Sequence, residues 1–370
     1  MNNRESRLNS LWRRWRFWHS EKSKASEELI NNLRNLKSEG VSLGKNGDYA
    51  TAKTILSNAL EQASQYQELA SLQSRILHEL GVLEAAQRHP KPARDFFRKA
   101  LKLESKLGED IAQSITLLHL ANLETEQQLL SQAIATYRQA LALQRKNNDD
   151  YGSALTRHHL ADLYARTGDV EKAINFYEQV RVSEAYGNHP SAKAAALHQL
   201  AMLKCSQDEF EEALVLYREA LGLEESINNP SGKAATLCQI AKIYERQNLL
   251  DRALNLYQDA LNLTAANPLE QASTLHHIGG IKAKQGNFDE AIEIYQRTLE
   301  LKANQGNPYS IAVTLAKLGK LQAEWQREFP TALKNLRQAV NLLRQAGSSE
   351  AQAVGDVLTR VEELANGNTG

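Results

Sequence analysis

The chain has 370 residues, with 44 Lys and Arg against 44 Asp and Glu and a pI of about 7.2. Balanced charge argues against a nucleic-acid binder that works through its whole surface, which would be strongly basic. No apolar run approaches the ~20 residues of a membrane span. With only Cys205 and Cys238 there is no disulfide framework to build, so a reducing, cytoplasmic compartment is expected.

Residues 1–29 form a basic segment that precedes any regular pattern. Within residues 1–24 there are seven Lys or Arg against Glu5 and Glu21, a net +5. On a helical wheel Leu8, Leu11, Trp12, Trp15, Trp18 and His19 fall within one arc of ~120°. Arg7, Arg13, Arg14 and Arg16 occupy the rest, with Phe17 as the exception. Two roles stay open for the contact residues Trp12, Arg13, Arg14, Trp15, Arg16 and Trp18. The helix folds back and covers the open edge of the first repeat, which begins at residue 30, or it docks in a membrane interface as a peripheral, salt-sensitive anchor. Arg13-Arg14 is followed by no apolar stretch, so export is not expected.

From residue 30 to 348 one pattern repeats eight times. A small residue falls at Gly40, Gly81, Ala121, Ala161, Ala201, Ala241, Gly279 and Gly319, at intervals of 38 to 41 residues. An alanine opens a second helix at 52, 93, 133, 173, 213, 253, 291 and 332 without a single substitution. Four residues later stand Leu56, Phe97, Tyr137, Tyr177, Tyr217, Tyr257, Tyr295 and Leu336. A fixed period with the same pattern at each step is the signature of a solenoid. The small columns let two helices approach to ~8 Å, and the aromatic column fills the space between neighbouring pairs. Pro190, Pro230 and Pro268 are expected in the loops between repeats. In residues 349–370, Val354, Leu358, Val361 and Leu364 share one face, as a C-terminal capping helix requires. Asn366 to Gly370 is expected to fray.

These columns resemble the tetratricopeptide repeat family. The fifth repeat matches through Leu197, Leu200, Ala201, Ala213, Tyr217 and Ala220, with Lys204 where the family has Tyr. The period near 40 is similar to the longer-repeat branch of kinesin light chains and Leu-Gly-Asn adaptors. The resemblance implies an all-α, right-handed superhelical solenoid of eight helix-turn-helix repeats whose first helices line a concave groove.

Carried onto this chain, two columns of the implied groove wall hold seven of the ten histidines: His78, His119, His158, His159, His198, His276 and His277. Gln199, Gln239, Asn122, Asp162 and Lys242 complete the candidate partner-binding wall. Imidazoles and amides both donate and accept, which suits the backbone of a peptide or a helical segment; histidines merely tolerated on a wet inner face are the competing reading. A metal is not expected. Equivalent side chains on neighbouring helices start ~8–10 Å apart, whereas zinc needs nitrogens at ~2.0–2.1 Å. The chaperone-type carboxylate clamp of the family is absent: Lys37 matches it, but Val41, Glu79, Ile115 and His119 stand at its other four places. There is no Gly-rich phosphate loop, HExxH or GxSxG motif, so neither catalysis nor a cofactor is expected. The functional expectation is a non-catalytic adaptor for a protein or peptide partner, without nucleic acid. A structural or self-assembling solenoid is the alternative.

Overall fold

A computed structural model describes residues 25–186, 188–265, 267–303 and 307–367. The tryptophan-rich stretch and its candidate contacts therefore lie outside the described residues. Among those that are described there are seventeen α-helices and no strand, and the chain divides into two compact units, Met1–Tyr186 and Gly187–Gly370.

The first unit contains four helix pairs: α1 (Glu27–Lys45) with α2 (Tyr49–Ser64), α3 (Ala70–Ala86) with α4 (Pro90–Leu107), α5 (Asp110–Glu126) with α6 (Leu130–Lys146), and α7 (Asp150–Arg166) with α8 (Val170–Arg181). The second contains α9 (Pro190–Ser206) with α10 (Phe210–Ser226), α11 (Pro230–Arg246) with α12 (Leu250–Leu263), α13 (Pro268–Lys284) with α14 (Phe288–Lys302), and α15 (Pro308–Leu321) with α16 (Phe329–Gln345), closed by α17 (Glu350–Gly367).

Each pair is joined by the same left-handed turn. Gly47, Arg88, Gln128 and Gly168 in the first unit, and Asp208, Asn248, Gly286 and Arg327 in the second, have φ between +58° and +86°. In the first unit the next N–H returns to a carbonyl five residues back, as from Asp169 to Tyr164 at 2.9 Å and from His89 to Glu84 at 2.9 Å. Such a bond satisfies one of the orphaned carbonyls at a helix C-terminus.

The expected core columns are buried. Phe97, Tyr137, Tyr177, Tyr217, Tyr257 and Tyr295 are closed to solvent, as are the alanines that open each second helix. The small column is needed for close approach: a Cβ on Gly81 would lie 2.6 Å from the Phe97 ring, and one on Gly279 3.0 Å from Tyr295. The aromatic also reaches the following pair, since Phe97 packs with Leu120 and Leu123 of α5.

Three expectations are corrected. Pro190, Pro230 and Pro268 do not sit in loops but open α9, α11 and α13, where a missing N–H costs nothing. In the cap, Val354, Val357, Leu358 and Val361 pack on Ala332 and Leu336 of α16, but Leu364 is 47% exposed, so the expected apolar face is covered only as far as Val361. Finally, Asn366 and Gly367 continue α17 rather than fraying, while the rest of that expected tail, residues 368–370, lies outside the described residues.

Candidate functional site

The seven histidines of the expected groove wall prove to be built into the packing. Those of the first column turn an edge or a tilted face toward the aromatic of their own pair: His158 to Tyr177 at 5.7 Å, His198 to Tyr217 at 5.3 Å and His276 to Tyr295 at 5.6 Å between centroids. Those of the second column stack flat on the aromatic of the preceding pair: His119 on Phe97 at 6.1 Å, His159 on Tyr137 at 5.3 Å and His277 on Tyr257 at 5.2 Å. His78 also meets His119 edge-on at 4.9 Å. Ring contacts of this kind prefer offset or edge geometry and anchor both partners. Burial holds His78 down at about 4 and His276 at about 3, and depresses His119, His158, His159 and His198 as well. All six are neutral at pH 7 because desolvation penalises the imidazolium.

A second network binds the first column to the next pair. His78 Nδ1 lies 2.9 Å from Thr116 Oγ1, and that hydroxyl donates to Glu104 Oε1 at 2.9 Å. The three residues come from α3, α5 and α4. The same triangle recurs in the second unit as His198, Thr236 and Glu224 (3.3 and 3.1 Å), and as His276, Thr314 and Lys302 (3.0 and 3.1 Å). Thr156 donates to Gln144 at 2.8 Å in the corresponding place. Sequence reasoning missed this column. Its signal is a polar residue seven positions after five of the six buried aromatics, namely Glu104, Gln144, Glu224, Thr264 and Lys302; i+7 returns to the same helix face, so each is a polar side chain placed on the buried side, whereas Glu184, seven after Tyr177, lies beyond its helix and is exposed.

Other members of the expected wall are also occupied. The hydroxyl of Tyr137 donates to Asn122 Oδ1 and that of Tyr177 to Asp162 Oδ1, so both polar residues satisfy a buried phenol. His158 Nε2 lies 3.6 Å from Asp162. Gln199 is exposed and Gln239 half-buried. Cys205 and Cys238 are free, and burial raises both thiols, which disfavours the thiolate. No group of three or more His, Cys, Asp or Glu among the described residues is placed to hold a metal ion.

Each unit carries a cavity on its first helices. In the first unit one of about 580 Å³ is lined by Lys37 of α1, Arg75, His78 and Glu79 of α3, Glu104 of α4, Ile111, Ile115 and Thr116 of α5, and Glu109 at the turn between α4 and α5. Ile111 is 65% and Ile115 45% exposed. Of the expected wall, only His78 lines this cavity. In the second unit a cavity of about 390 Å³ gathers Lys242, Glu245, His276, His277 and Lys317 around Gly280. Here Glu245 accepts from Lys284 at 2.7 Å and faces His277 at 3.8 Å, contacts that pull its carboxyl down to about 2. The two cavities differ in character, one presenting apolar surface beside buried Glu104 and half-buried Glu109 and the other mostly cations.

Helix pairs of this length, small and aromatic columns in register, and cavities on the first helices define a helical repeat protein of the interaction type. The tetratricopeptide repeat profile matches residues 113–181, 193–266 and 270–345, and the chain belongs to that family. No curated protein sequence matches it. Among solved structures it is similar to the apo quorum sensor NprR from B. thuringiensis, at 15% identity over 92% of this chain and 95% of that one, with a TM-score of 0.62. A tetratricopeptide repeat protein from Parabacteroides merdae is similar at 16% identity over 78% and 98%, TM-score 0.54. BtubC from P. vanneervenii aligns at 22% identity over 61% and 91%, TM-score 0.50. At these identities the likeness concerns the fold.

Proposed function

We propose that the chain is a non-catalytic scaffold that captures a peptide or helical segment of a partner protein on its first-helix face. The observation that carries the reading is the cavity of about 580 Å³ lined from three consecutive first helices, with Ile111 and Ile115 exposed in it. Two exposed isoleucines one turn apart on α5, in a recess large enough for several side chains, suit an anchor residue of a bound segment. The neutral histidines form its rigid backing rather than its contact surface. The free thiols of Cys205 and Cys238 suit a cytoplasmic setting. NprR is a quorum sensor whose structure was determined in its apo form, and a signal-responsive role for the present chain would fit the same use of the fold.

Selection of a displayed peptide library on the full chain tests this. Enriched sequences should share a pattern and lose binding to Ile111→Glu and Ile115→Glu variants whose melting is unchanged. Binding that survives both substitutions, or peptides that fail to converge, would refute it.

A further inference from the structure

The cavity of the first unit contains an electrostatic arrangement that capture of a segment does not by itself explain. Glu104 is 1% exposed. Its Oε1 accepts from Thr116 at 2.9 Å, while its Oε2 and the Oε2 of neighbouring Glu109 are buried without a hydrogen-bond donor. Two carboxylates therefore line one recess, each with an acceptor oxygen left over, and Glu109 raises the carboxyl of Glu104 further. Buried acceptors without donors are uncommon in folded proteins.

We propose that this recess takes the cationic head of a lysine or arginine in the captured segment, with the free oxygens of Glu104 and Glu109 as acceptors and Ile111 and Ile115 flanking its methylene stem. The assignment rests on the first-helix face being the binding surface. A planar guanidinium presents several donors at once and suits two acceptors held in one recess, while the long stem of either residue covers apolar surface.

The other charged groups around the cavity are compatible with a cation. Lys37 on α1 offsets Glu79 on α3, whose carboxyl it draws down against the raising effect of burial. Lys146 of α6 pairs with Asp110. Arg75 lines the recess from its exposed side, and His78 is neutral above about 4. The buried groups in want of a partner are thus acidic, and an anionic ligand would meet them with like charge.

Binding should therefore depend on pH. Burial holds the Glu104 carboxyl at about 7, so a cation binds its ionised form and must displace a proton at lower pH. Full coupling to one such group weakens binding about tenfold between pH 8 and pH 6.

The test uses the full chain with isotope-labelled isoleucine methyl groups, titrated with acetyl-Leu-Arg-Leu-amide, acetyl-Leu-Glu-Leu-amide and acetyl-Leu-norleucine-Leu-amide. The arginine peptide should shift Ile111 and Ile115, bind at least tenfold more tightly than the other two, and weaken on acidification from pH 8 to 6. Glu104→Gln with Glu109→Gln, which preserves shape and the acceptor for Thr116, should abolish that preference. Equal binding of all three peptides overturns the cationic assignment and leaves the groove reading in place. So does unaltered arginine preference in the double variant. An arginine peptide that leaves both isoleucines unmoved, while library-selected segments still bind, overturns the assignment alone.

Discussion

Thr116→Val is the sharpest probe of the network that ties one helix pair to the next. The two side chains have nearly the same volume, so packing around position 116 is kept while the hydroxyl is lost. That hydroxyl sits 2.9 Å from His78 Nδ1 and 2.9 Å from Glu104 Oε1. Because Glu104 Oε2 already lacks a donor, the substitution removes the last hydrogen bond of a buried carboxyl and one partner of a buried imidazole. At ~1–3 kcal/mol per stranded buried group the loss for two groups is about 2–6 kcal/mol. Protonation of Glu104, already held near pH 7, offers an escape, so about 2–3 kcal/mol is expected at neutral pH. Thr156→Val is the control. Its hydroxyl donates only to the neutral amide of Gln144, with Leu118 in the place of the histidine, and about 1 kcal/mol is expected. Adding Glu104→Leu to Thr116→Val should recover part of the loss, because the stranded carboxyl goes too. Hydrogen exchange of the α3–α5 amides, read alongside urea denaturation, separates a local effect from a global one in a repeat protein. Equal costs for Thr116→Val and Thr156→Val, or costs below ~0.5 kcal/mol for both, would refute the reasoning.

Acidification is expected to destabilise the chain between about pH 6.5 and pH 4. Six histidines have folded values below the ordinary 6.5, His78 at about 4 and His276 at about 3, so their contribution is complete above 6.5 and lost as pH falls. Glu79, Glu104 and Glu224 are raised and act in the opposite sense, but they are fewer. Thermal melts of His78→Asn and His276→Asn should show a flatter acid limb than the parent, and a parallel limb would contradict the sign. Gly81→Ala drives a Cβ to 2.6 Å from the Phe97 ring and should cost about 1–3 kcal/mol in denaturant titrations. At the equivalent position Ala121→Gly should cost only the ~1 kcal/mol of a helical glycine. Arg88→Gly relieves a left-handed, solvent-exposed arginine at φ +59° and should stabilise by about 1 kcal/mol by the same assay.

The helix pairs, their register and the capping helix were legible in the sequence because burial repeats with the chain's period. Ala173, Tyr177 and Leu160 are core for reasons of size and spacing alone, and all three are closed to solvent. The histidine columns were legible as positions but not as roles. A side chain on a first helix can face either the open surface or the seam with the next pair, and a shift of one helical position decides between them. Only coordinates show His78 reaching Thr116 across that seam. The recess at Glu104 was illegible for a related reason. Its walls come from α1, α3, α4, α5 and the turn after α4, and Ile111 and Ile115 break no column that the repeat enforces. The division into two units at residue 186 is foreshadowed only by α8, which at twelve residues is the shortest second helix among those described.

Photo-crosslinking in the native host tests the central claim most directly, with a benzophenone amino acid placed at Ile115 in one version of the chain and at exposed Lys99, on second helix α4, in another. Capture through the first-helix face predicts a discrete crosslinked partner from position 115, removed by competition with a library-selected peptide, and none from position 99. A partner captured from position 99 and not from 115 would contradict the account.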